Sequence, residues 1–381
     1  MAKRRGNNEG SIYKRKNGTW RAQVSINNKR LSYSAESRTE CHEWLRKTMD
    51  LVDRGMSFEN KDLTLEKYIK QWFKIKRFTI KKKTAYDYER LIEKYILPSL
   101  GKIRVKKLST FGITNFYSDL KQDEKGTRTI QLIHSILRSS LKVAVANGII
   151  ARNPCEGALL PRYERKEMKV LDENQVTKFL IAAEESRYKA LYHLAITTGM
   201  RFSELIGLKW SDINWDKRTI RVQRQLQYIP HEGYEFNDPK TRSGIRTIML
   251  GETTLGILRV HFRDNAHEDV TGENLIFVNG IGTQIYFKRF YKDFKRVLRT
   301  AGLPEIRFHD LRHTAATLMI SNGIPVVIVS RILGHSKPSV TMNIYAHTSV
   351  EMQSEAANLM ENLVTPIPVD IQKIQNQEVS K

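Results

Sequence analysis

The chain has 381 residues, 40% of them hydrophobic, which is enough for two or three separate cores. Its formal net charge of +23 points to a polyanionic partner, either nucleic acid or an anionic membrane surface. Two cysteines, Cys41 and Cys155, exclude a zinc-ligand spacing and imply no disulfide framework. No apolar run reaches the length of a membrane span, and MAKRRGNNEG lacks the apolar stretch of a signal peptide, so a cytoplasmic protein is expected.

The charge is unevenly spread. Residues 1–60 hold 13 Lys/Arg against 7 Asp/Glu, residues 61–166 hold 24 against 10, and residues 167–381 hold 27 against 24. Two strongly basic segments therefore precede a nearly balanced one, and the basic pair reads as a set of grips for nucleic acid.

In chain order, SIYKRK leads into Asn17-Gly18, a tight-turn signal, and then TWRAQVSI alternates. Trp20, Ala22, Val24 and Ile26 fall on one face, and Arg21, Gln23 and Ser25 on the other. Asn27-Asn28 turns the chain into KRLSYS, and SRTE (Ser37–Glu40) has the form of a capping box opening a helix. A small sheet with a basic face can enter a major groove, which makes Arg21 and Gln23 candidate DNA contacts; a solvated sheet face explains them equally well.

A linker over about 53–62 is followed by helical spacing. LTLEKYIKQWFKIK and KTAYDYERLIEKYI are the first two predicted helices, the second ending near Pro98 and Gly101. A third covers about 109–120, and a fourth runs from about Thr127 to Asn147-Gly148. Four amphipathic helices in this span predict a bundle. Lys74, Lys76, Arg77, Lys81, Lys82 and Lys83 cluster at one helix junction, where they could hold phosphates. A single such cluster is usually a solvated charge run, but the basic excess of the whole bundle favours DNA.

A second linker, 153–169, precedes a mixed segment. Helices are predicted around 173–185, 188–198, 201–208, 253–265, 287–301, 309–322 and 325–332. TIRVQRQLQYI and IRTIML are the clearest strands, with DPKTRSG between them at the lip of a predicted hairpin. Beyond them, SVTMNIYAH is predicted to form a helix carrying Tyr345, and MQSEAANLMENL a helix suited to docking in cis or on a neighbouring copy.

The chemistry-bearing residues of this segment are cations. Arg201 opens the predicted helix of TTGMRFSELIGLKW, where a positive helix end would favour a phosphate. FHDLRHTAAT places His309 and Arg312 three apart on one face. Lys240 lies in the hairpin loop, and LGHS contributes His335 ten residues before Tyr345. Taken singly each is weak: a lone arginine is more often a surface charge, and a lone tyrosine more often packs.

The ordered set is more specific. TTGMR-x-x-E-L, P-K-T, H-D-L-R-H-T, L-G-H and then Tyr resembles the tyrosine recombinase family, and over about 8–365 the chain resembles integrases of temperate phages and integrative conjugative elements. The resemblance implies a multidomain, mainly α fold with small β-sheets. Residues 1–57 would form an arm-type DNA-binding domain with a three-stranded sheet plus helix, and 62–152 a helical core-type DNA-binding domain. Residues 168–365 would form a mixed, mostly α catalytic domain, and 366–381 a flexible tail.

It also implies roles. Arg201 and Arg312 would clamp the scissile phosphate, Lys240 would protonate the leaving 5′ oxygen, and His309 would assist proton transfer. His335 would contact a phosphate oxygen, Tyr345 would be the nucleophile, and Glu204 would support Arg201. Gly244 stands where relatives often carry another residue, so Lys240 is the least constrained of these assignments. The resemblance further implies double-stranded attachment-site DNA as substrate, a homotetramer on DNA, and accessory DNA-bending proteins. No metal or other cofactor is expected, and no P-loop sequence is present. A type IB topoisomerase, or a DNA-binding regulator with an inactive catalytic domain, are the alternatives.

Overall fold

The computed structural model describes residues 10–26, 29–53, 62–162, 168–239, 241–265 and 272–337, together with 339, 342 and 360. The chain divides into two units, Met1–Arg165 and Lys166–Lys381.

In the first unit, β1 (Ser11–Lys14), β2 (Trp20–Ile26) and β3 (Lys29–Ala35) form an antiparallel meander, followed by α1 (Arg38–Asp53). Gly18 turns the β1–β2 loop at φ +86°, a conformation that glycine adopts without a Cβ penalty. The alternation of TWRAQVSI holds: Ala22 and Val24 are buried, opposite Tyr33 and Leu31 on β3. Tyr33 in turn stacks on Trp44 of α1, with centroids 5.6 Å apart. Ser37 Oγ accepts the Glu40 backbone N–H at 3.1 Å and so caps α1.

The helical part comprises α2 (Leu65–Lys76), α3 (Lys82–Leu91), α4 (Leu97–Leu100), α5 (Thr110–Gln122) and α6 (Thr127–Ala146). A π turn over Ile92–Ile96 joins α3 to α4. The π turn ends two residues before Pro98, which has no N–H to give the helix, and the helix runs on past the proline to Leu100. Tyr68, Ile69, Tyr117, Ile130, Ile133 and Leu137 pack the interior, and the Tyr68 hydroxyl donates to Ser140 O at 2.5 Å.

The second unit packs α7 (Glu173–Ala183), α8 (Lys189–Thr198), the single turn α9 (Phe202–Leu205), α10 (Glu252–Asn265), α11 (Phe287–Thr300) and α12 (Asp310–Ser321) around a main apolar core, while Ala316 and Ile320 of α12 join Val329 and Leu333 of α13 (Val326–Leu333) in a smaller one. Phe179, Tyr192, Phe290, Phe294 and Phe308 form the aromatic centre of the main core, with neighbouring rings at 4.9–6.0 Å. Two small sheets sit beside it: β4 (Ile213–Asn214), β5 (Thr219–Val222) and β8 (Arg246–Met249) in the order β4-β5-β8, and β6 (Gln225–Ile229) with β7 (Gly233–Asn237).

Two expectations are corrected here. TIRVQRQLQYI is not one strand, because it breaks at Gln223-Arg224. Gln223 donates to one oxygen of buried Asp212 at 2.7 Å and Arg224 to the other at 2.5 Å, which turns the chain. Its first half pairs with β8, and its second half forms a separate hairpin with GYEFN, a strand that the apolar pattern does not single out. The helix expected over 201–208 is only the turn of α9. It ends before Gly207, where a Cβ would come within 2.9 Å of the Leu226 backbone nitrogen.

Candidate active site

Two helix C-termini build the centre of the site. α8 ends at Gly199, with φ +61°, and α13 ends at Gly334, with φ +69°. Both need the left-handed conformation, and neither has room for a side chain. A Cβ on Gly199 would collide with Leu333 Cδ2, and one on Gly334 would lie 2.9 Å from both Arg246 Nη1 and Ser243 O. At α13 the His335 N–H returns to Ser330 O at 3.1 Å and the Gly334 N–H to Arg331 O at 3.0 Å. This doubled closure sets the direction in which His335 leaves the helix.

The last carbonyls of a helix lack intrahelical partners and carry partial negative charge. Arg312 is placed against both ends. It is 3% exposed and donates from Nη1 to Gly199 O at 2.8 Å and from Nη2 to Leu333 O at 2.7 Å. Burial, then the nearby Arg201, pushes Arg312 down to about 9, with Glu204 opposing; it stays cationic at neutral pH. A buried guanidinium is tolerated because two carbonyl dipoles replace its water and the Glu204 charge opposes its loss of the proton.

Arg201 precedes α9 and is partly exposed. Its Nη1 donates to Glu204 Oε1 at 2.7 Å, and its backbone N–H to Glu204 Oε2 at 3.0 Å. The positive helix end expected there is thus a single turn, and the Glu204 carboxylate already occupies its N–H. Glu204 is 2% exposed and also accepts from Arg246 Nη2 at 2.8 Å. Burial alone would raise its pKa, but Arg246 and Arg201 outweigh that and hold it below the usual carboxylate range. Glu204 thus pairs directly with Arg201 and Arg246, and Arg312 lies within electrostatic reach of all three.

His309 stands at the N-cap position of α12 with no capping bond from its side chain, and the Asp310 carboxylate beside it accepts from the Arg307 backbone N–H at 2.7 Å and from Arg307 Nη2 at 2.6 Å. The outer side of His309 stays exposed while its inner side is crowded. That crowding, then His313, Arg312 and Arg201, pushes its pKa down to about 4. His335 is pushed down to about 4 as well, by burial first and then by Arg312 and Arg201. Both rings are therefore neutral at pH 7, able to donate a hydrogen bond from one nitrogen and accept a proton on the other.

The fold thus brings Arg201, Glu204, His309, Arg312 and His335 together from separate stretches of chain. Lys240 and Tyr345 lie outside the described residues, as do the tail and all of the predicted C-terminal helices except 339, 342 and 360; the loop that holds Lys240 is flanked by the described Pro239 and Thr241. Three further residues belong to the arrangement and were not singled out from sequence. Arg246 bonds Glu204, Asp310 anchors the start of α12, and His313 packs edge-on against His309, with centroids 5.2 Å apart at 90°. Asp310 and His313 sit inside the HDLRH signature, so the motif itself carried their signal; Arg246 had none.

The other candidate contacts lie in the first unit. Arg21 Nη2 donates to Ser32 Oγ at 2.9 Å on the neighbouring strand, and Gln23 is half-buried on the same strand. Lys74, Arg77, Lys81 and Lys82 are exposed and Lys76 is half-buried, around the turn between α2 and α3. Lys83 is pinned by Asp87 at 3.2 Å and lies 4.9 Å over the Tyr86 ring.

Comparison with known proteins agrees with this geometry. A family model described as the phage integrase family matches residues 169–352, and one for the phage integrase N-terminal SAM-like domain matches residues 64–121. A tyrosine recombinase XerC-like protein of Caldanaerobacter subterraneus subsp. tengcongensis is 29% identical over 359 residues, covering 88% of this chain and 92% of its own. The Tn1549 transposon integrase in complex with a circular intermediate DNA superposes with a TM-score of 0.68 at 24% identity, over 78% of this chain and 99% of its own. A lambda integrase from a tetramer bound to a Holliday junction does so with a TM-score of 0.58 at 20% identity, over 90% of this chain and 96% of its own. The two family models together show that the chain belongs to the phage integrase family.

Proposed function

We propose that this protein is a site-specific DNA recombinase of the integrase class, cutting and resealing DNA through a 3′-phosphotyrosine to integrate and excise a mobile element. The observation that carries the reading is the convergence of Arg201, Arg312, His309 and His335 on one site, with Arg312 buried on two helix-end carbonyls and Glu204 buried in ion pairs with Arg201 and Arg246.

Phosphoryl transfer is mostly positioning and charge stabilisation. Arg201 and Arg312 would hold the two non-bridging oxygens, and His335 would donate to one of them. The Tyr345 phenol would attack phosphorus as its proton passes to neutral His309. A phosphorus–oxygen bond to Tyr345 forms, the bond to the 5′ oxygen breaks, and Lys240 would supply that oxygen with its proton. A free phenol is only roughly 0.1% ionised at pH 7, so a base that is neutral there is needed. Attack by a 5′ hydroxyl of the partner duplex reverses each step, conserving the diester without ATP.

Exchange between two duplexes needs four cleavages, which calls for four copies on double-stranded core sites. Residues 1–57 would hold arm sites, 62–152 would grip the core sites, and 168–365 would carry the chemistry. The lambda integrase tetramer on a Holliday junction supports this assembly by fold likeness.

The test uses a nicked duplex carrying the junction of the element that bears the gene. A covalent protein–DNA adduct that disappears in Tyr345→Phe is expected. An adduct that survives the substitution overturns the assignment, and supercoil relaxation without strand exchange would place the activity with topoisomerases.

A further inference from the structure

One residue with no assigned role ties the parts of this site together. Arg246, at the start of β8, has a side chain 6% exposed and uses all three of its guanidinium nitrogens. Nη2 donates to Glu204 Oε2 at 2.8 Å, Nε to Ile332 O at 2.5 Å, and Nη1 to Gly244 O at 3.0 Å. Two of these partners lie 42 and 86 residues away in sequence. Each belongs to a different working segment: the Arg201–Glu204 turn, the end of α13 that launches His335, and the loop that contains Lys240.

The third contact is closed from the other side as well. Gly244 is buried, and a Cβ there would collide with Pro239 Cβ, so the two ends of the 239–244 loop touch. The Gly244 N–H returns to Thr241 O at 2.9 Å. The absence of a side chain at Gly244 is therefore a packing requirement of this loop. Arg246 Nη1 also lies 2.9 Å from where a Cβ on Gly334 would stand, so a side chain at position 334 would push against this arginine.

We infer that Arg246 is a positioning residue for strand cleavage. It holds the Lys240 loop, the Arg201–Glu204 turn and the His335 turn in one fixed relation without touching the phosphate. A lysine there could satisfy one of these acceptors but not all three, since a guanidinium is a planar fork and an ammonium is a point donor. The catalytic consequence rests on the recombinase reading above; the structural one does not.

The full-length protein tests both. By hydrogen exchange without DNA, Arg246→Lys is expected to expose the Arg201 and His335 N–H groups, bonded to Glu204 and Ser330, while Val297 and Leu298 in α11 stay protected. Unchanged exchange at the site overturns the inference, and so does equal loss throughout α11, which would make Arg246 a general stabiliser. On the nicked duplex, adduct formation by Arg246→Lys is expected to fall roughly a hundredfold while duplex affinity stays within about twofold. Affinity falling as far as the rate would make Arg246 a DNA contact and overturn the inference. Added guanidinium is expected to restore part of the rate to Arg246→Ala. Absence of an adduct from the unsubstituted protein would defeat the recombinase reading alone, and the exchange measurement would still decide the positioning role.

Discussion

Positive charge is handled in opposite ways at the turn after α2 and at the ends of α8 and α13. Around the α2–α3 turn, Lys74, Arg77 and Lys81 stand exposed on flexible stems. At the helix ends, Arg312 and Arg246 are buried and fixed by backbone carbonyls and the Glu204 carboxylate. Exposed lysines attract a polyanion of any sequence, and salt screens them. Buried guanidinium groups cost desolvation at folding but point in one direction afterwards, as a transition state requires. In the proposed recombinase, one region would supply attraction and the other aim.

The contrast breaks most severely at Arg312. Arg312→Ala would strip two helix ends of the donor that their carbonyls share. A loss of about 3 kcal/mol in unfolding free energy is expected, with adduct formation reduced at least about a thousandfold. Calorimetry and the nicked-duplex assay read the two effects, and a stable, active variant would mean that the buried cation is dispensable.

Glu204→Gln keeps the shape but leaves two guanidinium groups facing an amide. About 3 kcal/mol of destabilisation is expected in urea unfolding. The pH dependence follows from two directions of shift. Glu204 titrates below its unfolded value, so its contribution is complete above the ordinary carboxylate range and is lost as pH falls through the folded value. His309 and His335 titrate near 4 in the folded protein against about 6.5 unfolded, so stability also drops as pH falls from 6.5 towards 4. The substituted protein should lose only the Glu204 part of this acid slope. NMR titration of the two histidines should show neutral rings at pH 6.5 in the DNA-free protein; protonation there would contradict their placement.

Gly199→Ala tests the helix ends directly. The left-handed conformation costs about 1–2 kcal/mol for alanine, before the clash with Leu333 is counted. A melting temperature unchanged from the parent would show that the two ends do not meet as described.

The smallest stability effect belongs to the exposed region. Lys74→Ala, Arg77→Ala and Lys81→Ala together should leave unfolding within about 0.5 kcal/mol of the parent. Duplex binding should weaken, with the salt slope of log affinity shrinking by about 0.9 for each phosphate no longer neutralised. An unaltered slope would show that these side chains do not meet DNA.

What could be read from sequence follows the range of each interaction. Helix positions came through well because an apolar stripe is a local property: α6, α8, α11, α12 and α13 lie within two residues of their predicted bounds. Arg201, His309, Arg312 and His335 were legible because each sits in a short signature. The hairpin of β6 and β7 was missed because Asp212, which breaks the preceding strand, reaches it from 11 and 12 residues away. Arg246 was missed for the same reason on a larger scale, since nothing near it in sequence hints at a carbonyl 86 residues on. Side-chain bonds to distant backbone leave no periodic trace.

The seating of Arg312 across two helix ends constrains how this chain can vary. An added residue in a helix turns its final carbonyl by about 100° around the axis. A single insertion in α8 or α13 would swing Gly199 O or Leu333 O away from the guanidinium, even if every side chain in the site were kept. Insertions in the surface loops leave both carbonyls where they are. The lengths of these two short helices therefore act as the gauge of the site, and related sequences that retain the chemistry should differ in their loops while keeping the residue count from Lys189 to Gly199 and from Val326 to Gly334.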